Sequence, residues 1–226
     1  MKLFFKYNWF YLFIYLIILF FLGYILLRNG KVQIHEAINK HVGNSYVDFF
    51  FKYITHLGDG LLAFIIIFIL LFISMKKSLY ILLSYLSAAM ISTLIKYIYY
   101  PNIFRPHSTY GYFLKEKKLI LVDGVIMSSI RSFPSGHALS AFALFFCLLF
   151  MTKNHGLKIL YFLLAVTASF SRVYISQHWL IDIYAGSIIG TVFSVLFYFI
   201  FYNRSYAQNY DTTLPLLILK NKQKRV

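Results

Sequence analysis

Asp182 is the only carboxylate inside any long apolar run of this chain. A charge at such a position is costly, so it marks a candidate site whose partner has to be identified. His178 stands four residues earlier in the stretch "SRVYISQHWLID", and on a helix residues i and i+4 share a face. A carboxylate so placed receives one imidazole N–H and leaves the other ring nitrogen free, the arrangement of an oriented base or nucleophile. It is also the arrangement of a structural pair that neutralises a buried charge, and the two residues alone do not separate these readings.

A second group opens the apolar run "SFPSGHALSAFALFFCLLF", Ser132 to Phe150. Ser135 and Gly136 precede His137 where a helix must begin. Free backbone N–H groups and the positive end of the helix dipole gather there and suit an anion. Gly136 lets that backbone approach closely. Ser135 either donates its hydroxyl to a ligand or serves as the N-cap, and His137 taken alone reads equally as an interfacial residue. Three cations complete the set: Lys96, Arg105 and Arg172. Guanidinium forks match phosphate oxygens and an ammonium adds a point charge, although each singly is accounted for by snorkelling to lipid headgroups. At one depth, three cations, two histidines and a carboxylate read as a phosphate site with a nucleophile and an acid.

These residues need elements to hold them. The chain has 226 residues, 60% of them hydrophobic and only 13% charged, with a mean hydropathy of +0.70. Soluble domains are about a quarter charged, so the clustered excess of apolar residues indicates an integral membrane protein. Six runs stand out: Trp9–Leu27, then roughly Gly60–Met75, Ser78–Ile95, Ala138–Thr152, Leu157–Phe170 and Trp179–Tyr202. The predicted fold is all-α, a polytopic membrane protein with six transmembrane helices in one bundle, because backbone in lipid must pair internally and the runs lack strand alternation. The first run is too long for a signal-peptide core and lacks a small-residue cleavage site, so it reads as a retained span. No polar linker divides residues 1–226, which predicts a single integral-membrane domain with a basic cytoplasmic tail at about 203–226. A short helix is expected around His35–His41, and the segment "KEKKLILVDGVIM" is expected to lie along the membrane surface.

The chain carries 22 basic and 7 acidic residues. Anionic headgroups and cytoplasmic positive charge account for that excess; nucleic-acid binding is excluded for want of any basic, polar domain. Basic residues are denser in Met1–Asn8, Lys76–Lys77, Lys153–Lys158 and the tail than in the segments on the other side, which puts both termini in the cytoplasm. Lys96, Arg105, Ser135–His137 and Arg172–Asp182 then share the opposite face. Cys147, the single cysteine, lies inside an apolar run, so no disulfide framework exists.

The motif residues resemble the type 2 phosphatidic acid phosphatase family of membrane lipid phosphatases. The family pattern is a Lys…Arg-Pro element, then Pro-Ser-Gly-His, then Ser-Arg-x5-His-x3-Asp. Pro134-Ser135-Gly136-His137 fits the second element, and Ser171-Arg172…His178…Asp182 fits the third without a gap. The first departs: eight residues separate Lys96 from Arg105-Pro106, where the family has six, and a bulge around Pro101 would restore the reach of Lys96.

The resemblance implies a mechanism. His178 attacks phosphorus in line and becomes a phosphohistidine, Asp182 holds its tautomer, and His137 protonates the leaving oxygen and then activates water. Lys96, Arg105, Arg172, Ser135 and the Gly136 amide bind the phosphoryl oxygens. It implies no cofactor and no metal. The substrate class is a lipid phosphomonoester or diphosphate, for example a lipid A phosphate, phosphatidylglycerophosphate, phosphatidic acid or undecaprenyl diphosphate. A phosphotransferase using the same phosphohistidine, and a transporter or scaffold with a relict site, are the alternatives. The expected location is a bacterial inner (plasma) membrane, with the site on the periplasmic or outer face. His35, His41, His56 and His155 receive no role.

Overall fold

The computed structural model describes residues 2–203 and Thr213; the basic tail lies outside the described residues, apart from its first residue and Thr213. Among the described residues the protein is all helix, turn and loop, with no strand. Nine α-helices follow in order: α1 Lys2–Arg28, α2 Lys31–Asn39, α3 Ser45–Ile54, α4 Gly60–Ile73, α5 Met75–Leu94, α6 Pro106–Phe113, α7 Gly136–Met151, α8 His155–Tyr174 and α9 Leu180–Asn203.

All six predicted apolar runs are helical, but their lengths differ. Segments of 25, 25, 20 and 23 residues in α1, α5 with its following turn, α8 and α9 are long and apolar enough to cross a bilayer. A fifth is the pair Ser45–Gly58 and Gly60–Ile73, bent by 50° at Asp59. Helix α7 has only 16 residues, about 24 Å of rise, which falls short of a hydrocarbon core of about 30 Å. The described residues therefore carry four or five helices of spanning length rather than the predicted six. With their large apolar side chains turned outward, as at Phe13, Phe20, Phe64 and Phe68, they make the chain an integral membrane protein.

Helix α7 is apolar all round because it is enclosed all round. From Ala138 to Phe150 nearly every side chain is buried, against α5, α8 and α9. Gly186, Gly190 and Ser194 form a small-residue row along α9 that lets it lie on the α7 backbone. A β-carbon on Gly186 would stand 2.5 Å from the Ser135 carbonyl oxygen, and one on Gly190 would stand 2.6 Å from that of Leu139. Ser194 Oγ donates to the Ala143 carbonyl at 3.1 Å. Helix α1 is more peripheral and is held by polar contacts. Tyr15 Oη meets Ser187 Oγ at 3.0 Å. The fully buried Lys158 donates to Asn8 Oδ1 and, at 2.8 Å, to the carbonyl of Leu149 near the end of α7.

A cap of α2, α3, α6 and the loop 114–135 closes the end of the bundle where the motifs meet. The helix expected at His35–His41 is α2, which starts earlier and stops at Asn39; His41 lies in the turn beyond it. The segment expected on the membrane surface is an extended loop folded back on the cap. Asn39 exchanges two hydrogen bonds with the Ile120 backbone, at 2.7 and 2.9 Å. Lys52 Nζ donates to the Asp123 carbonyl at 2.7 Å.

Candidate active site

Helix α8 ends at Tyr174, and the chain folds tightly back over that end. The N–H groups of Gln177 and His178 both donate to the Arg172 carbonyl, at 2.9 and 3.0 Å. Ser176 takes a left-handed backbone with φ of +56°. His178 therefore lies in the turn before α9 rather than on the helix that its spacing to Asp182 suggests. The contact survives because Asp182, in the first turn of α9, reaches back across the helix start. Its Oδ2 accepts from the Trp179 N–H at 2.9 Å, from Ser132 Oγ at 2.5 Å and from His178 Nδ1 at 3.3 Å.

The other ring nitrogen of His178 stands 3.3 Å from an Nη1 of Arg105. A guanidinium only donates, so Nε2 is the acceptor and the ring proton sits on Nδ1, directed at Asp182. Burial and the charges of Arg105, Arg172 and Lys96 hold the His178 imidazole well below its ordinary range of protonation, so it is neutral. A neutral ring with an oriented N–H and an outward lone pair is the form a nucleophilic or basic imidazole requires.

Gln177 places the two arginines. Its Oε1 accepts from Arg105 Nη1 at 3.1 Å and from Arg172 Nη2 at 3.4 Å. Its Nε2 donates to the Ile126 carbonyl at 2.8 Å and so ties the pair to the cap loop. Arg105 also donates from Nε to the Ile130 carbonyl at 3.1 Å, while Arg172 Nη1 donates to Thr55 Oγ1 at 3.1 Å. Arg172 Nε and Asp182 Oδ1 are buried with no hydrogen-bond partner among the described residues. A free guanidinium N–H beside a neutral imidazole suits an incoming phosphoryl oxygen.

Ser135 is the N-cap of α7. Its Oγ accepts from the Ala138 N–H at 3.4 Å, and its own N–H donates to the Asp182 carbonyl at 3.0 Å, which joins the start of α7 to the first turn of α9. Gly136 and His137 open the helix, where N–H groups have no intrahelical acceptor, and the space beside Gly136 is open. Lys96 lies in a π-helical turn, Ile95–Tyr99, that ends α5. This wider turn, with a second turn at Pro101–Asn102, takes up the extra residues of the first motif. Lys96 lines a cavity of about 180 Å³ together with Gly136, His137, Tyr85 and Ser140. It is also within electrostatic range of Arg105, Arg172 and Asp182. All eight sequence-predicted residues thus meet in one region.

Four residues that the sequence reading left aside complete the cluster: Gln177, Ser132, Thr55 and Asp59. Asp59, at the break before α4, pairs with His137 Nε2 at 2.7 Å and with His56 Nδ1 at 2.7 Å. The signals for it were faint: a carboxylate among only seven acidic residues, standing at the lip of an apolar run.

Two solved structures share the fold. The crystal structure of Aquifex aeolicus LpxE superposes with a TM-score of 0.62 at 23% identity, over 73% of this chain and 92% of that one. The first transmembrane PAP2 type phosphatidylglycerolphosphate phosphatase from Bacillus subtilis gives 0.59 at 23% identity, over 84% and 94%. Among curated proteins, the lipid A 4'-phosphatase of Bacteroides thetaiotaomicron is 37% identical over 83 residues, 37% of either chain. The undecaprenyl-diphosphatase of Sulfolobus acidocaldarius is 42% identical over 65 residues, 29% of this chain and 31% of that one. These matches span about a third of the length of the curated relatives. The PAP2 superfamily model covers more, residues 77–206, from the start of α5 through all three motifs to the end of α9, and on that match the chain belongs to the PAP2 superfamily.

Proposed function

We propose that this protein is a membrane lipid phosphatase that hydrolyses a lipid phosphomonoester or diphosphate through a phosphohistidine on His178. The observation that carries the reading is the geometry of the His178 ring, with Nδ1 3.3 Å from Asp182 Oδ2 and Nε2 3.3 Å from Arg105 Nη1. In the first step the Nε2 lone pair attacks phosphorus, the bond to the lipid oxygen breaks, and His137 gives that oxygen a proton. In the second, water attacks the phosphohistidine, His137 takes its proton, and inorganic phosphate leaves. Lys96, Arg105, Arg172 and the open amides of α7 neutralise the charge that builds on the phosphoryl oxygens. These cations supply the charge in this reading, and the reaction proceeds without metal.

The finer arrangement belongs to the same proposal. Six helices cross the bilayer as one domain, with the bent α3–α4 pair and the enclosed α7 as the two incomplete spans. Both termini are cytoplasmic, and the site opens to the periplasmic or outer face of a bacterial inner membrane. The candidate substrates are those in the names of the relatives: a lipid A phosphate, undecaprenyl diphosphate and phosphatidylglycerophosphate. The test supplies purified protein with these lipids in the presence of a chelator. Release of inorganic phosphate, abolished by His178→Ala, is the expected result. Retained activity in that variant, dependence on an added divalent cation, or transfer of phosphate only to a second alcohol would overturn the reading.

A further inference from the structure

Beside the cluster lies a second cavity, of about 440 Å³, which shares Lys96 and Arg105 with the candidate site. Arg131 also lines it, and the motifs assign that residue nothing. No acidic side chain lines this cavity, and no ion pair to a carboxylate neutralises any of its three cations among the described residues. Positive charge without an ion-paired carboxylate in a concave site attracts anions. The wall is fixed by backbone bonds: the Arg105 N–H donates to the Ser129 carbonyl at 3.0 Å, and the Ser132 N–H donates to that of Ile103 at 3.1 Å. Arg131 holds a left-handed backbone, φ +59°, that residues with a β-carbon seldom adopt. Its guanidinium lies 4.4 Å from the centre of the Tyr97 ring and donates to Tyr97 Oη at 3.3 Å. Of five guanidinium donors, that bond uses one.

We propose that this cavity is a second phosphate-binding site, which takes a phosphate group of the lipid other than the one being cleaved. It rests on the phosphatase reading above and narrows it to lipids that carry two phosphates close together. Lys96 and Arg105 bridge the cleaved and the retained phosphate, and Arg131 faces the retained one alone. An arginine–phosphate contact is charge-assisted and bidentate, so its loss weakens binding of the two-phosphate ligand and leaves a single phosphate in the catalytic region untouched.

The first measurement does not depend on turnover: thermal stabilisation of the purified protein by inorganic phosphate and by methylenebisphosphonate. The bisphosphonate is expected to bind the native chain more tightly, and Arg131→Gln to weaken it about tenfold while phosphate binding is unchanged; Arg131→Lys retains part of the difference. Equal affinity of the native chain for both anions overturns the proposal. So does an equal loss for both in Arg131→Gln, which marks a site for free phosphate. The second measurement compares phosphatidylglycerophosphate with phosphatidic acid as substrates. Arg131→Gln is expected to raise KM for the first about tenfold with kcat unchanged, and to leave hydrolysis of the second within twofold. An equal change on both lipids overturns the second site and leaves the phosphatase reading intact. Absence of phosphate release by the native chain overturns the phosphatase reading, whereas the anion-binding result stands by itself.

Discussion

His137 Nε2 lies 2.7 Å from Asp59 Oδ1. This places a second imidazole–carboxylate pair across the cluster from His178 and Asp182, supplied by a different part of the chain. The other oxygen of Asp59 holds His56 at 2.7 Å, so the carboxylate is fixed from both sides. A carboxylate in that position fixes the orientation of the ring, and a proton donor to a leaving oxygen needs that alignment. Asp59→Asn keeps the shape and removes the charge. Turnover is expected to fall roughly 10- to 100-fold, within the range of general acid catalysis, and the fall is expected to shrink for a substrate whose leaving group needs no proton, such as a nitrophenyl phosphate. Equal losses on the lipid and the nitrophenyl ester would mark Asp59 as merely structural.

Gln177 accepts from both Arg105 and Arg172 with a single oxygen. Without it, two like charges near one imidazole lose the neutral acceptor that holds them in register. Gln177→Leu is expected to raise KM and lower kcat together, about tenfold each, because a misaligned cradle weakens ground-state and transition-state binding alike. Gln177→Glu is expected to raise KM more than the leucine variant does, since its carboxylate occupies the guanidinium donors that otherwise meet phosphate. Steady-state kinetics on one lipid settle both comparisons.

Two features were legible in the residue string because each is local. The spacing of His178 and Asp182 specified a contact that survives even though His178 lies ahead of the helix. The apolar runs specified helices within a few residues. Three features were not legible. Asp59 meets His137 from a distant segment, and no periodic pattern encodes such a pairing. Gln177 sits in an irregular turn whose path depends on two backbone bonds to Arg172. The loop 114–135 carries neither helical nor strand period, so its course over α2 and α3 is set by tertiary bonds such as that of Asn39 to Ile120. Helix α7 falls below spanning length for a related reason. Its apolar residues face protein, and enclosure by other helices removes the length that lipid would impose.

The neutral state of His178 carries a dependence on pH. Burial comes first among its causes and the neighbouring cations add to it, so the folded ring takes up a proton only well below the ordinary value of about 6.5. Below that value the unfolded chain binds a proton at this position and the folded chain does not. Stability therefore falls as pH drops through about 6.5 and continues to fall toward the folded value. Long-range 1H–15N spectra, assigned with His178→Ala, are expected to show the Nδ1–H tautomer still neutral at pH 5.5. The melting temperature is expected to drop less between pH 7.5 and 5.5 in His178→Gln than in the native chain. A His178 signal that becomes imidazolium near pH 6.5 would contradict the buried, cation-flanked geometry.

Gly186 ties the packing of the bundle to the chemistry. A β-carbon there would lie 2.5 Å from the Ser135 carbonyl oxygen and 3.2 Å from Ala138 Cβ. The first obstacle is backbone, so α9 itself must move away from the start of α7. Asp182 stands one turn earlier on α9, and its carbonyl accepts the Ser135 N–H while its carboxylate accepts from Ser132. Displacing α9 there opens both bonds and draws the carboxylate off the His178 ring. Gly186→Ala is expected to destabilise the protein by about 1–3 kcal/mol, the range for overpacking, and to lower activity more than tenfold, since shifts of about 1 Å have that effect on aligned groups. Gly111→Ala is the control, because a β-carbon there would meet nothing within 4 Å; it is expected to change neither property. Melting curves in detergent and phosphate release from one lipid test the pair, and a Gly186→Ala protein with native activity would separate helix packing from the catalytic alignment.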